Sequence, residues 1–337
     1  MKSHLSLQKV SSAYRQQQVL QDIDLDIFGD EILCVLGPSG SGKSTVLKSI
    51  AGLQPISSGR IELNGTVLND VGVHQPPQQR GIGLIFQDYA LFPHLRVVDN
   101  IAFSGQANAS EVAKLIELLG LQGLEQRFPH EISGGQQQRV AIARAMAYQP
   151  AFLLMDEPFS NIDQQTRWPL IRELHDIFRA QKIGVVFVTH SIDEAFYLAD
   201  RVAILDQGRV LQCSVPESLY RQPNNLAVAE FLDLGLCFEI LSRQADTLQT
   251  VLGEMKVVET IPDDHSHVFI TSEQLTVAES VDGFKIIQKQ RLAHGISYHV
   301  SNHQHSMRLT LAVDQDFAVG TVLNVQIKPH KPWSLSA

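Results

Sequence analysis

Apolar residues are set out along the chain in two rhythms. Leu5, Leu7 and Val10 lead to Tyr14 as a first strand, and Asp22-Ile23-Asp24-Leu25-Asp26-Ile27 alternates strictly. One face of that stretch is apolar and the other acidic, as in a half-exposed antiparallel strand. Ile32-Leu33-Cys34-Val35-Leu36 is continuously apolar and reads as a buried strand. Val46-Leu47, Ile50-Ala51 and Leu53 then recur at helical spacing, with an end near Gly52. Ile61 to Leu68 reads as a hairpin on the Asn64-Gly65 turn. Pro76-Pro77 marks a loop. Gly81–Phe86, Phe152–Met155 and Ile183–Val188 repeat the buried-strand pattern. From Tyr89 to about Gln149 the pattern is mainly helical. Val112, Leu115-Ile116 and Leu118-Leu119 give one amphipathic helix, stopped by Gly120. A second follows Ser133-Gly134-Gly135, runs through Met146 and is closed by Pro150. A helix around Leu170–Phe178 crosses to the Ile183 strand. Buried strands alternating with helices predict a parallel sheet. Val202–Leu211 closes this part as a hairpin.

The texture changes later. Pro216 to Phe231 reads as a helical exit, broken at Pro223-Asn224-Asn225. Beyond Gly235, short β-type runs such as Val268-Phe269-Ile270, Phe284–Ile287, Tyr298–Val300, Met307–Leu311 and Val322–Ile327 are punctuated by turns. That is the pattern of a small all-β domain, a sandwich or an OB-like barrel. Two domains are therefore expected, 1–235 and 236–337, with a helical subdomain at about 89–150. A chain of 337 residues suits two cores better than one.

Composition narrows the partners. The chain is 44% apolar and 19% charged, which fits a folded protein. A net charge of -9 and no long basic run argue against nucleic acid as a partner. No apolar stretch is long enough to span a bilayer. Met1–Ser6 carries no apolar signal core, so a cytoplasmic place is expected unless another protein holds the chain at a membrane. Cys34, Cys213 and Cys237 lie far apart, without metal-ligand spacing. Cys34, inside a strand, reads as a small core residue.

The chemistry gathers at strand ends. Gly37-Pro38-Ser39-Gly40-Ser41-Gly42-Lys43-Ser44-Thr45 fits G-x-x-x-x-G-K-[ST], the phosphate-binding P-loop, between a strand and a helix as that motif requires. Its glycines let backbone N–H groups approach a phosphate, and the helix N-terminus attracts the charge. Lys43 suits the β- and γ-phosphates of ATP, and Ser44 offers a hydroxyl to Mg2+. Asp156 follows four apolar residues, as a Walker B carboxylate does, and can hold the Mg2+ shell beside Ser44. Glu157 is placed to orient or deprotonate a water. Gln87 or His190 alone reads more readily as an ordinary polar or structural residue. Beside the P-loop and the acidic pair, each becomes a γ-phosphate sensor candidate, with Gln87 also a candidate for the metal shell. In a parallel sheet ligands sit beyond the carboxyl ends of the strands, where all four groups fall. Ser133-Gly134-Gly135-Gln136 opens a helix and forms a second anion site. One P-loop already serves one nucleotide, so this second anion site suggests that ATP is shared across a dimer.

Ile132-Ser133-Gly134-Gly135-Gln136-Gln137-Gln138-Arg139 resembles the signature motif of ABC-type ATPases. The P-loop, Gln87, Asp156-Glu157, Ser160-Asn161-Ile162-Asp163 and His190 match the remaining motifs of that family in order, over residues 1 to about 235. The resemblance implies an ABC-type α/β P-loop fold with an antiparallel β subdomain and a helical subdomain. It implies a head-to-tail dimer of two copies with two ATP at the interface. Each ATP would lie between one P-loop and the other copy's Ser133–Gln136. Tyr14 matches the aromatic position that stacks on adenine, and Asp163 would cross the interface.

Gln87-Asp88-Tyr89-Ala90-Leu91-Phe92-Pro93-His94-Leu95 resembles the importer form of the Gln loop. The resemblance implies an integral membrane permease partner, a solute-binding protein reached indirectly, and a place on the cytoplasmic face of the inner membrane. Tyr89, Leu91 and Phe92 would form an exposed apolar docking patch, or at least one of them packs inside. The tail resembles the regulatory domain of importers of sugars, polyamines, oxyanions and ferric iron. Pro76–Gly83 and Phe159–Asp163 look most like the ferric-iron group, with polyamine, sulfate and sugar as alternatives. A soluble ABC ATPase acting on DNA or the ribosome is the rival of another class, against which the docking patch, β tail and acidic charge speak. A non-catalytic binder conflicts with Glu157 and His190. Ile132 stands where Leu is usual, and Trp168-Pro169 is expected to shift a helix start. The tail histidines His265, His267, His294, His299, His303 and His305 read as solvated surface residues rather than a metal sensor.

Overall fold

The computed structural model describes residues 3–15, 17–233, 235–244, 247–256, 265–271, 274–292, 295–302, 305–327 and 333–336. The chain divides into two compact units, Met1–Pro216 and Glu217–Ala337. The helical exit after Pro216 groups with the second unit.

In the first unit, β1 (His4–Tyr14) pairs antiparallel with β2 (Gln17–Phe28). Ile23, Leu25 and Ile27 are buried while Asp22, Asp24 and Asp26 are exposed, as the alternation predicts. β3 (Ile32–Leu36) is buried throughout and leads to α1 (Lys43–Ala51). β4 (Ser58–Leu63) and β5 (Thr66–Asn69) form the hairpin on Asn64-Gly65 and complete the sheet β2-β1-β4-β5. There follow β6 (Ile82–Ile85), α2 (Val97–Ala102), α3 (Ala109–Leu118), α4 (Gly134–Met146), β7 (Phe152–Asp156), α5 (Gln164–Gln181), β8 (Gly184–Thr189), α6 (Ile192–Leu198), β9 (Arg201–Asp206) and β10 (Arg209–Ser214). The second sheet runs β10-β9-β3-β8-β7-β6. All its pairings are parallel except that of β10 with β9.

One core joins the two sheets. Leu5, Leu7, Leu25 and Ile27 of the antiparallel sheet share it with Leu33, Val35, Leu154 and Val188, and α1 adds Val46, Leu47 and Ile50. Each such side chain contributes about 1.5–3 kcal/mol on burial. The helix that carries the P-loop is thus anchored along one face. Arg80 secures its far end: this guanidinium, 2% exposed, donates to the Ser49 and Ile50 carbonyls at 2.9 Å and to the Gln75 carbonyl at 2.8 Å. A cation at a helix C-terminus is favoured by the helix dipole. Burial pulls its pKa down to about 10.

The segment expected to be helical holds α2, α3, a 3-10 turn at Pro129–Glu131, and α4. α5 begins at Gln164 and contains Pro169, so the proline does not set the start. The start is set by Asp163, whose carboxylate accepts the Gln165 and Thr166 N–H groups at 3.1 Å. An N-cap of this kind returns about 1 kcal/mol, part of what the interior proline costs.

In the second unit α7 (Pro216–Arg221) and α8 (Leu226–Leu232) are separated at Pro223-Asn224, and Asn225 caps α8. The strands are β11 (Gly235–Glu239), β12 (Ser242–Gln244), β13 (Thr247–Thr250), β14 (Gly253–Lys256), β15 (His265–Thr271), β16 (Leu275–Leu292), β17 (Gly295–Ser301), β18 (Ser306–Leu311), β19 (Val322–Ile327) and β20 (Trp333–Ser336). They make the sheets β11-β15-β20, β12-β13-β14 and β18-β17-β16-β19, all antiparallel. Phe238, Ile270, Ile286, Tyr298, Leu309 and Leu323 form their own core. The buried Tyr298 hydroxyl donates to the Gln315 carbonyl and accepts from the Phe317 N–H, both at 2.9 Å, which ties down the 312–320 loop. His265, His267, His299 and His305 are partly or fully exposed, and His294 and His303 lie outside the described residues. Among the described residues no cluster of three metal-ligating side chains occurs, and no helix is long and apolar enough to cross a membrane.

Candidate functional site

β3 delivers the chain to Gly37 at the parallel sheet's carboxyl edge. A Cβ there would stand 2.0 Å from the Leu205 carbonyl, so the close approach of β9 admits only glycine. Pro38, Ser39 and Gly40 form an exposed lip. Ser41 N–H turns back to the Pro38 carbonyl at 3.2 Å, and Gly208 N–H holds the Ser41 carbonyl at 3.0 Å. Gly42 caps α1 at φ 107°, and no side chain accepts from the first helical N–H groups. Those donors face the loop as an anion-binding terminus. Lys43, 7% exposed, donates to the Gly37 and Pro38 carbonyls at 2.8 and 2.9 Å. Burial lowers its pKa, against the pull of Glu157 and Asp156. Thr45 is half-buried on the same turn.

Ser44 Oγ donates to Asp156 Oδ1 at 2.8 Å, which joins the start of α1 to the end of β7. Burial raises the Asp156 pKa, and the Ser44 hydrogen bond and the lysines oppose it. Glu157 follows with φ 44°, a left-handed conformation that costs a glutamate on the order of 1–3 kcal/mol. Its N–H is held by the Val188 carbonyl at 3.1 Å, and its carbonyl accepts the Ser160 hydroxyl at 3.0 Å. These bonds hold the strained turn. Glu157 Oε2 stands 3.4 Å from Gln87 Nε2 and 3.6 Å from His190 Nδ1. The ends of β6, β7 and β8 thus place Gln87, Glu157 and His190 in one row, next to the Ser44–Asp156 pair.

The other predicted residues lie elsewhere in the unit. Ser133 begins α4 with a capping box: its Oγ accepts from Gln136 N–H at 3.4 Å, and Gln136 Oε1 accepts from Ser133 N–H at 2.9 Å. Gly134 faces the Asn161 carbonyl, 3.2 Å from where its Cβ would be, and Gly135 has room. Among the described residues no hydrogen bond joins Ser133–Gln136 to Gly37–Thr45. Asp163, at the exposed start of α5, also accepts from the Thr166 hydroxyl, and these bonds lower its pKa. Tyr14, 64% exposed, ends β1 with its ring 5.8 Å from the Arg15 guanidinium carbon.

Of the three residues expected in the docking patch, Tyr89 packs inside, as expected for at least one of them, and the other two are only partly open. Tyr89 is 4% exposed, and Leu91 and Phe92 are half-buried. Arg144 of α4 draws the segment inward by donating to the Tyr89 and Ala90 carbonyls at 2.9 and 2.7 Å. The exposed aromatics of this region are Phe86 and Phe103, and the Phe103 ring packs 4.1 Å from Phe92. Helical spacing alone did not single out Phe103.

Comparison with known proteins agrees with this geometry. The family described as ABC transporter matches residues 20–160. The Fe(3+) ions import ATP-binding protein FbpC of Streptomyces avermitilis is 37% identical, over 91% of this chain and 90% of its own. The chain belongs to the ABC transporter ATP-binding proteins. An FbpC 2 of Pectobacterium atrosepticum is 40% identical over 82% of this chain and 81% of its own. A sulfate/thiosulfate import ATP-binding protein, CysA of Bacillus cereus, is 35% identical over 96% and 87%. Among solved structures, an ATP-binding cassette dimer in a post-hydrolysis state with ADP and Pi superposes with a TM-score of 0.56 at 29% identity, over 63% of this chain and 98% of that one. CbiO1 of Clostridium perfringens, part of an ABC transporter complex, gives 0.58 at 26% identity over 64% and 90%. This ABC protein is an ATPase of the import class.

Three of its residues escaped sequence reasoning. Arg80 follows Gln78-Gln79, Arg167 follows Gln165-Thr166 and Glu194 follows Asp193, where a charged side chain reads as surface. Only the fold buries Arg80 and Glu194.

Proposed function

We propose that this chain hydrolyses ATP to energise import of ferric iron through a membrane permease. The single observation that carries the hydrolytic reading is Glu157 held between Gln87 and His190, beside Ser44–Asp156. Glu157 takes the proton of a water as its oxygen attacks the γ-phosphorus, and the bond to the ADP oxygen breaks. Lys43 and the loop N–H groups hold the β- and γ-phosphates, and His190 and Gln87 contact the γ-phosphate. Tyr14 stacks on adenine. Ser44, Asp156 and Gln87 are the oxygen-bearing residues that would hold Mg2+; all three suit a hard cation. When bound, Mg2+ neutralises charge on the phosphates.

Ser133–Gln136 of a second copy completes each site in a head-to-tail dimer, with Asp163 at the interface. The dimeric cassette that this unit resembles supports that arrangement. The subunit is placed peripherally at the cytoplasmic face of the inner membrane by its permease, which in turn receives solute from a binding protein. Ferric iron is supported by the names of several relatives at 36–40% identity. The CysA relative favours sulfate as the second reading.

Glu157→Gln should keep ATP binding, accumulate a closed dimer and lose about 10²–10⁴-fold in turnover, measured as phosphate release. Unchanged hydrolysis would sink the role of Glu157. Uptake of labelled ferric iron, sulfate and spermidine in a deletion strain tests the solute, and loss of a non-iron solute alone overturns iron.

A further inference from the structure

A buried carboxylate joins two turns of the site that chain order separates. Glu194, on α6, is 5% exposed. One of its oxygens accepts the Thr189 hydroxyl at 2.6 Å, and that hydroxyl accepts the Ser191 N–H at 3.1 Å. Ser191 Oγ accepts the Glu194 N–H at 3.3 Å. His190 lies between the two bonded residues, so its backbone is fixed from both sides. The other oxygen of Glu194 stands 3.8 Å from Arg167 Nη1. Arg167, on α5, donates Nη2 to the Ile162 carbonyl at 2.8 Å. Ile162 directly precedes Asp163, the cap of α5.

One carboxylate therefore reaches the His190 turn with one oxygen and, through Arg167, the Asp163 turn with the other. Burial raises its pKa, and Thr189, Arg167 and His190 draw it back toward the ionised form. A position that served packing alone would be met as well by an apolar side chain. A buried carboxylate paired with a half-buried guanidinium instead demands a particular relation between the elements that carry them, and here those elements hold two site residues.

We propose that Glu194 is a positioning residue: with Arg167 it locks the His190 turn to the Asp163 turn. The γ-phosphate contact within a subunit and the contact across the dimer are then set together. The inference rests on the roles given above to His190 and Asp163.

The test compares Glu194→Gln, Glu194→Ala, Arg167→Ala and the Glu194→Ala/Arg167→Ala double variant of the full chain. Steady-state ATP hydrolysis gives kcat and KM, and a fluorescent ATP analogue gives affinity. Each alanine variant should lower kcat about tenfold or more, with KM and affinity within about twofold of wild type, the split expected when ground-state binding is untouched. The double variant should be no slower than the slower single, because both break one linkage. Glu194→Gln keeps an acceptor for Thr189 and should fall between wild type and alanine; it carries the comparison if Glu194→Ala fails to fold. Full kcat in Glu194→Gln and Arg167→Ala overturns the proposal, as do additive losses, or losses of affinity at unchanged kcat. His190→Ala is measured alongside. Full turnover there overturns the site reading itself, whereas an inactive His190→Ala beside fully active Glu194→Gln and Arg167→Ala overturns only the linkage.

Discussion

The two helix starts proposed to meet phosphate are built in opposite ways. α1 begins at Gly42, with no side chain on its first N–H groups. α4 begins at Ser133, whose own hydroxyl accepts from Gln136 N–H, at a long 3.4 Å. The first leaves its donors to a ligand within the same subunit, and Lys43 folded onto Gly37 and Pro38 shares that space. The second satisfies itself inside the subunit, through a bond weak enough to exchange for a phosphate oxygen. A helix that caps itself folds without a ligand and responds to one, while an uncapped helix needs the core behind it. α1 has that core in Val46, Leu47 and Ile50. α4 is packed too, through Val140, Ala141, Ile142 and Ala143, so the two starts differ in what accepts their first N–H groups and not in having a core behind them.

The largest effect expected is a complementation between the halves. Lys43→Ala should remove phosphate binding at the first half, and Ser133→Arg should block the second. Each alone should lose about 10²-fold or more of ATP turnover, the scale of deleting a preorganised charge partner. A mixture of the two proteins should regain activity through dimers that hold one intact composite site. A mixture as inactive as its parts would break the comparison, because both halves would then act within one subunit.

A smaller effect concerns Asp156. Its folded pKa is raised by burial, so the nucleotide-free fold loses stability as pH rises from the ordinary carboxylate range through the raised value, and that loss persists at neutral pH. Asp156→Asn keeps an acceptor for Ser44 and sheds the charge. Its nucleotide-free Tm should therefore exceed that of the wild type at pH 7, a gain that shrinks as pH falls toward the ordinary range, while Mg2+-dependent hydrolysis is lost. A lower Tm at pH 7 would mean that the carboxylate stabilises the unliganded site.

The smallest effect separates two capping boxes of the same form. Asn108 caps α3 with Glu111, bonded at 3.0 and 2.8 Å, away from any predicted phosphate. Asn108→Ala should cost about 1 kcal/mol of stability in a denaturant titration and leave kcat unchanged. Ser133→Ala should reduce kcat as well. Equal behaviour of the two variants would reduce the α4 box to a structural cap.

The sequence by itself determined where the polar chemistry falls. Gln87, Asp156-Glu157 and His190 each follow a run of apolar residues, and a buried strand can present such a residue only at its end. The alternation of Asp22–Ile27 and the change of texture near Gly235 were legible for the same reason, because burial imposes a period on a strand. What the tertiary structure decided is which ends meet. The strand order β3-β8-β7-β6 is not chain order, and only that order brings Glu157 between Gln87 and His190. It also turned Tyr89 inward, where Arg144 takes its carbonyl, and buried Glu194 between α5 and β8. Arg144 lies 55 residues from Tyr89, and Arg167 comes to Glu194 from another helix, so no local period records either pairing.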